Sequence, residues 1–206
     1  MSPHELTVFI VDDDPSVRDA LSLLLAVRGY RTAVFASAEG FLQAWKSSWT
    51  GCLLIDLRMP GMDGLALQTH LNELECLLPI IVITGHGDAS VARQAFKANA
   101  HDFFEKPIDD EALIAAINEA FARETKHRNA LSERARSQQE LGKLTPRERE
   151  VMQHVVSGRH NREIAEKLDI SVRTVEVHKT RLMSKLGISN VVDLVKISMS
   201  SKDQGA

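Results

Sequence analysis

The fold class predicted is α/β followed by all-α: a five-stranded, doubly wound parallel sheet joined to a C-terminal domain of four short helices. Two patterns carry this. In the first half, short runs that are apolar on both faces alternate with single helical patterns, which is how strands read when a parallel sheet is covered on both sides by crossover helices. In the last third, the helices are marked off by caps, a first-turn proline and glycine stops. The 206 residues, 44% apolar and 26% charged, suffice for two cores, since domains usually run to about 100–150 residues.

The first domain is predicted over residues 5–122. Its runs are TVFIV followed by a helix from Pro15 to Arg28, RTAVF followed by Ala38 to Trp45, and CLLID followed by Gly64 to Glu73. PIIVIT then leads to a helix from Asp88 to Ala98, and DFFEK to one from Asp109 onward. The stretch FARETKHRNALSERARSQQELGK is polar, lacks proline and is rich in helix formers, which predicts a helical linker over 123–142 continuing from the last helix. A flexible tether is the alternative, because Leu131 and Ala135 give only a thin apolar stripe. The second domain is placed at 143–200. Thr145, Pro146 and Glu148 set the start of its first helix, which Gly158 closes. Asn161 opens the next, Ser171 caps the third after the turn LDIS, Gly187 ends it, and Asn190 caps a fourth that runs to about Met199.

Bulk properties narrow the function classes. The net charge of −3 conceals an asymmetry: residues 1–120 hold 8 Lys+Arg against 17 Asp+Glu, and residues 121–206 hold 17 against 11. A basic C-terminal half points to a polyanionic partner and an acidic N-terminal half argues against nucleic acid there. Cys52 and Cys76 are the only cysteines, which excludes a disulfide framework and leaves both as small apolar side chains. No apolar run approaches the roughly 20 residues of a membrane span, and MSPHELTVFIV lacks the basic start of a secretory leader. A cytoplasmic protein without a membrane partner is expected.

Asp12, Asp13, Asp56, Thr84 and Lys106 all fall at strand ends, where sheets of this kind bind ligands. Three converging carboxylates repel one another unless a cation joins them. Oxygen donors without Cys or His favour a hard ion, so Mg²⁺ or another divalent cation is expected on Asp12, Asp13 and Asp56, with the backbone carbonyl of Arg58 as a further ligand. An aspartate in such a field attacks phosphorus to give an acyl phosphate. Asp56 is the expected phosphoacceptor, with Lys106 and Thr84 donating to phosphoryl oxygens.

These segments, VDDDPSVR, LLIDLRMPGMDG, VITGHGD and FEKP, resemble the receiver domain of bacterial two-component response regulators, a CheY-like fold. The resemblance implies phosphorylation of Asp56 by a histidine kinase, with Asp12 and Asp13 as the acidic metal pair. It also implies a switch pair, Thr84 and Phe103, in which the hydroxyl moves to the phosphoryl group and the ring turns inward behind it. Phe104 is expected in the core on the opposite sheet face. Asn99 stands in KANA where the family mostly has glycine, a substitution that asparagine's tolerance of the left-handed helix stop allows.

In the second domain the third helix has Val175, Leu182 and Leu186 on one face and Glu176, Val177 and Thr180 on the other. The second stripe is placed to reach base edges if the helix enters the major groove. Arg173, Lys179, Arg181 and Lys185 are placed at phosphates, Thr174 is counted with the DNA-binding residues, and His178 reads as a packed or capping residue. LTPREREVMQHVVSGRHNREIAEKLDISVRTVEVHKTRLMSKLGI resembles the LuxR-type helix-turn-helix output domain, and the pairing is similar to the FixJ and NarL groups, nearest to FixJ. The resemblance implies a last helix that dimerises DNA-bound domains, for which Val191, Leu194 and Val195 are the candidates. Core packing is the rival reading, particularly for Val192 and Ile197. The expected function is a phosphorylation-dependent transcription regulator, an activator and not an enzyme. Its partners are a sensor kinase, promoter DNA, RNA polymerase and, once phosphorylated, a second copy of itself. A metal-dependent phosphotransferase and a protein- or RNA-binding adaptor are the alternatives.

Overall fold

A computed structural model describes residues 6–85 and 89–200. The expected domain start at residue 5 and helix start at Asp88 lie outside the described residues. The chain folds as two compact units, residues 1–128 and 129–206.

In the first unit, β1 (Thr7–Val11), α1 (Pro15–Val27), β2 (Arg31–Phe35), α2 (Ala38–Ala44), β3 (Gly51–Asp56), α3 (Gly64–Glu73), β4 (Ile80–Thr84), α4 (Ala89–Lys97), β5 (Asp102–Glu105) and α5 (Asp110–Gly142) follow in the alternating order expected. The strands are all parallel and ordered β2-β1-β3-β4-β5. The order reverses beside β1, so the carboxyl ends of β1 and β3 diverge into the crevice where doubly wound sheets bind ligands. One face packs Phe9, Val11, Leu53, Ile55 and Val82 against Phe41, Leu67 and Leu71 of α2 and α3. The other packs Val8, Ile10, Leu54, Ile81 and Ile83 against Leu21 and Leu25 of α1 and Leu113 and Ile117 of α5. Phe103 and Phe104, adjacent in β5, join the first and second clusters respectively, as strand alternation requires. Aromatic rings reinforce the first face: Phe9 stacks on Trp49 at 4.5 Å, and Phe35 and Phe41 meet edge to face at 5.2 Å.

Local chemistry sets the turns that carry the site. Asp14 caps α1 by accepting from the Ser16 amide, with Pro15 in the first turn. Asp63 caps α3 by accepting from Ala66 N–H at 2.7 Å. Asn99 has φ of +70°, the left-handed stop anticipated after α4. The Lys106–Pro107 peptide is cis. Within its own unit α5 is fastened by Arg128, which bonds the buried Glu124 carboxylate and the carbonyl of Trp49. The helix is continuous over 33 residues, so 123–142 is helical throughout.

The second unit contains the end of α5 and four helices: α6 (Pro146–Val156), α7 (Asn161–Leu168), α8 (Val172–Leu186) and α9 (Val191–Ser200). Thr145 and Glu148 form the reciprocal capping box at α6, Ser171 caps α8 and Gly187 ends it at φ +64°. The α7–α8 turn passes through Asp169 in the left-handed region, φ +51°. The core joins Val151, Met152 and Val155 of α6, Ile164 of α7, Val175, Leu182 and Leu186 of α8, and Leu194 of α9.

Candidate functional site

The carboxyl ends of β1, β3, β4 and β5 bring together Asp12, Asp56, Thr84 and Lys106. Asp12, Asp56 and Thr84 are buried. The Lys106 ammonium donates to Asp12 Oδ2 at 2.8 Å and to Asp56 Oδ1 at 2.9 Å, so two carboxylates from adjacent strands share one positive charge. Their second oxygens are held by backbone: Asp12 Oδ1 accepts from Asp14 N–H at 2.9 Å, and Asp56 Oδ2 from Arg58 N–H at 2.7 Å. Each carboxylate is thereby held through both of its oxygens. The Lys106 amide also donates to the Thr84 carbonyl at 2.8 Å, tying the lysine to the end of β4.

Burial pushes the Asp12 carboxyl above its usual range, and the hydrogen bond from Lys106 offsets this only in part. Burial acts on Lys106 in the opposite direction, but its bonds to Asp12 and Asp56 outweigh it and hold the ammonium above its ordinary value. Two carboxylates facing one ammonium leave negative charge here under-compensated, as a site for a cation requires. The donors are carboxylate and carbonyl oxygens, which fit a hard divalent ion. Three carboxylates were expected to converge, but two do. Asp13 is exposed, and among the described residues no three His, Cys, Asp or Glu side chains meet as a metal-binding group. The reason is that Lys106 draws Asp12 and Asp56 together while Asp13 keeps its solvent.

Other groups support this pocket, two of them, Arg18 and Gly64, inside the motif segments but with roles the motifs did not assign. Arg18 Nη1 donates to the Asp12 carbonyl at 2.7 Å, bracing the turn from β1 to α1. Glu39 of α2 accepts from Met62 N–H at 2.8 Å, holding the β3–α3 loop that follows Asp56. Gly64 lies so near the Asp56 carbonyl that an added Cβ would stand 2.4 Å from that oxygen. These contacts join residues remote in sequence or depend on backbone approach, so periodicity carries no trace of them.

On α8, Glu176, Val177 and Thr180 are exposed opposite the buried Val175, Leu182 and Leu186. Arg173 and Arg181 are exposed as well, and Thr174 is half-buried, its hydroxyl within 2.8 Å of Ser171 Oγ. Two of the expected phosphate contacts have partners inside the domain. Lys185 donates to Glu148 Oε2 at 2.7 Å, and Lys179 to Asn161 Oδ1 at 3.0 Å. On α9, Leu194 is 0% exposed and belongs to the core. It is therefore removed from the expected dimer edge, because the i, i+3 and i+4 pattern of α9 turns it toward α6. Val191 is exposed, Val195 is half-buried, and Val192, taken for a core residue in the rival reading, is 64% exposed.

A family model described as the response regulator receiver domain matches residues 8–118, and one described as bacterial regulatory proteins of the luxR family matches residues 142–198. This chain belongs to the response regulators. The regulator carries a LuxR-type DNA-binding domain behind its receiver. It is 40% identical to the response regulator protein TmoT of Ectopseudomonas mendocina, over 98% of this chain and 92% of that one. It is 42% identical to the transcriptional regulatory protein FixJ of Rhizobium meliloti (strain 1021), over 95% and 96% of the two chains. Among solved structures, the response regulator StyR superposes with a TM-score of 0.85 at 37% identity, covering 95% of this chain and 98% of that one. Among the described residues no helix of the regulator is long and apolar enough to cross a membrane.

Glu148 of the regulator is the least expected titrating group. It is buried, and the Lys185 ammonium, with the Thr145 amide, holds its carboxyl down to about 2 from an ordinary 4.5. A depressed folded-state value means stability that is fully present above pH 4.5 and lost as pH falls toward 2. Protection of the α8 amides, taken relative to the intrinsic exchange rate at each pH, is expected to fall through that window. Glu148→Gln should start from faster exchange at neutral pH and show a flatter acid dependence. Equal slopes for the two proteins would show that the Glu148–Lys185 pair does not set the acid limit.

Proposed function

We propose that a histidine kinase phosphorylates the regulator on Asp56, and that this controls duplex binding through α8. The reading rests above all on Asp56 Oδ1 and Asp12 Oδ2 sharing the Lys106 ammonium at the switch point of the sheet. Asp12 and Asp56 would hold Mg²⁺, with Asp13 acting through water and the Arg58 carbonyl as a further ligand. The bound ion supplies positive charge to the oxygens of the transferring group. Asp56 Oδ1 attacks phosphorus, and the bond from phosphorus to the donor nitrogen breaks with its electron pair. Lys106 then donates to a phosphoryl oxygen, and Thr84 contributes a second donor.

An added phosphoryl group brings about −1.5 to −2 charge. Thr84, buried beside the site, is drawn toward it, and Phe103, half-buried on the neighbouring strand β5, turns into the space released. The altered α4–β5–α5 surface then favours a dimer, and two LuxR-type domains on adjacent half-sites gain avidity that one lacks. Arg173, Thr174, Arg181 and, once released from their internal partners, Lys179 and Lys185 would lie along phosphates, with Glu176, Val177 and Thr180 at base edges. Val191 and Val195 remain the α9 candidates for a dimer edge. We read the output as activation through RNA polymerase, in a cytoplasmic protein whose only phosphoryl chemistry is on itself. The domain limits 5–122, 123–142 and 143–200 describe this division of labour.

Incubation with acetyl phosphate and Mg²⁺ is expected to give a base-labile adduct on one aspartate peptide and a shift to dimer by size-exclusion light scattering. Excess EDTA should abolish both. Labelling undiminished by EDTA would overturn the divalent-ion role, and a label on any other residue would overturn the Asp56 assignment.

A further inference from the structure

Glu176 is an acid at the centre of a helix face proposed to lie against a polyanion. It is exposed on α8, one helical turn from Thr180 and beside Val177, which is 41% exposed. Among the described residues no cation lies within ion-pair reach of its carboxylate, although α8 itself carries Arg173, Lys179, Arg181 and Lys185. Elsewhere in the domain Glu148 pairs with Lys185, Glu150 with Arg147 and Asp193 with Lys196; of the acids without an ion pair among the described residues, Glu176 is the one on the exposed stripe of α8. A carboxylate left unpaired on a face that meets phosphates is repelled from the duplex unless a donor meets it there.

Only two groups on the major-groove edge donate, cytosine N4–H₂ and adenine N6–H₂. An ionised carboxylate is acceptor-only. Guanine offers it N7 and O6, thymine offers O4 and a methyl group, and adenine sets its acceptor N7 directly beside N6, so each of these opposes the charge. Cytosine N4–H₂ has an acceptor on one side only, the O6 of its paired guanine, with C5–H on the other. Adenine N6–H₂ lies between two acceptors, N7 and the O4 of its paired thymine, so cytosine opposes the charge least. From this chemistry, resting on the reading that α8 enters the major groove, we infer that Glu176 specifies cytosine in the half-site. Its neighbours sharpen the register. Val177 offers only an apolar surface, and Thr180 spends its hydroxyl donor on the Glu176 carbonyl at 3.0 Å, leaving its methyl as the group for contact. Both suit the thymine methyl. The half-site therefore carries a cytosine adjoining thymine, and Glu176 works as much by excluding the other three bases as by binding its own.

The experiment is selection from a duplex library randomised across one half-site, using the full-length phosphodonor-treated protein and its Glu176→Gln and Glu176→Ala variants. Wild type should enrich cytosine at one position by about tenfold over each other base, in line with a good base contact. Glu176→Gln, which offers a donor and an acceptor side by side, should move that preference to adenine. Glu176→Ala should flatten it, and preferences elsewhere in the half-site should persist in all three proteins. An unchanged profile in Glu176→Gln, with affinity raised equally on all sequences, would overturn the inference while leaving groove binding by α8 intact. Failure of the wild type to enrich any sequence would overturn both. The variants are surface changes, and matching far-UV circular dichroism confirms that they fold.

Discussion

Replacing Asp56 by Asn is expected to abolish phosphodonor-driven labelling, dimerisation and the accompanying gain in duplex affinity. An amide nitrogen is no nucleophile toward phosphorus, and the amide oxygen lacks the charge that makes the carboxylate one. Geometry adds to the chemistry. Asp56 presents one oxygen to Lys106 and the other to the Arg58 amide, and both partners are donors. An amide can satisfy only one of them and must turn its NH₂ against the other, so the β3–α3 loop or the lysine has to move. Intact-protein mass spectrometry with acetyl phosphate and Mg²⁺ reads the first effect. A variant that still forms the adduct and still dimerises would remove Asp56 from the mechanism.

Gly64→Ala is the second change with a large expected effect, and it acts through space. A methyl group there would lie 2.4 Å from the Asp56 carbonyl oxygen, 2.9 Å from Leu57 Cα and 3.0 Å from Ile55 Cγ2. The two nearest atoms are backbone at the end of the central strand, which cannot rotate aside as a flexible side chain would. The Gly64 amide is also committed, donating to the Leu57 carbonyl at 3.0 Å. Relief therefore requires α3 to slide away from β3, opening the packing of Leu67 and Leu71 in the first core. Overpacking of this kind costs about 1–3 kcal/mol and occasionally more, and the backbone clash places Gly64→Ala at the upper end. For a domain of this size that lowers the receiver's melting temperature by roughly 10 °C. Calorimetry of the full chain should show the receiver transition moved by that amount and phosphorylation slowed with it. A shift under about 2 °C would mean that the loop yields without strain.

The contrast between these two residues shows what a sequence exposes. Asp56 is legible because strand ends concentrate its chemistry beside Asp12 and Lys106, and because apolar runs locate strand ends well. The individual strands and helices and the caps at Thr145 and Ser171 were legible for the same local reason, since each depends on neighbours within about four residues, while the left-handed Asn99 was anticipated from the resemblance to the family. Gly64, Glu39 and Arg18 act across gaps that only folding closes. The same limit explains Leu194 and Lys185. Both sit at the margin of a helical stripe, where a rotation of a few tens of degrees decides between core and surface, or between solvent and a partner 37 residues away. Charge alone could not show that Lys185 spends its ammonium on Glu148, nor that Asp13 stays in solvent while Asp12 does not.

The aromatic cluster around Trp49 divides the molecule by colour. Both tryptophans, the tyrosine and all seven phenylalanines lie within residues 1–128, so ultraviolet light absorbed by aromatic rings is absorbed almost wholly in one of the two units. Emission excited at the indole band will follow the melting of that unit and be blind to the other, whereas peptide ellipticity follows both. The difference between two such curves on a single unlabelled sample isolates the behaviour of the duplex-reading helices, without a fluorophore having to be introduced.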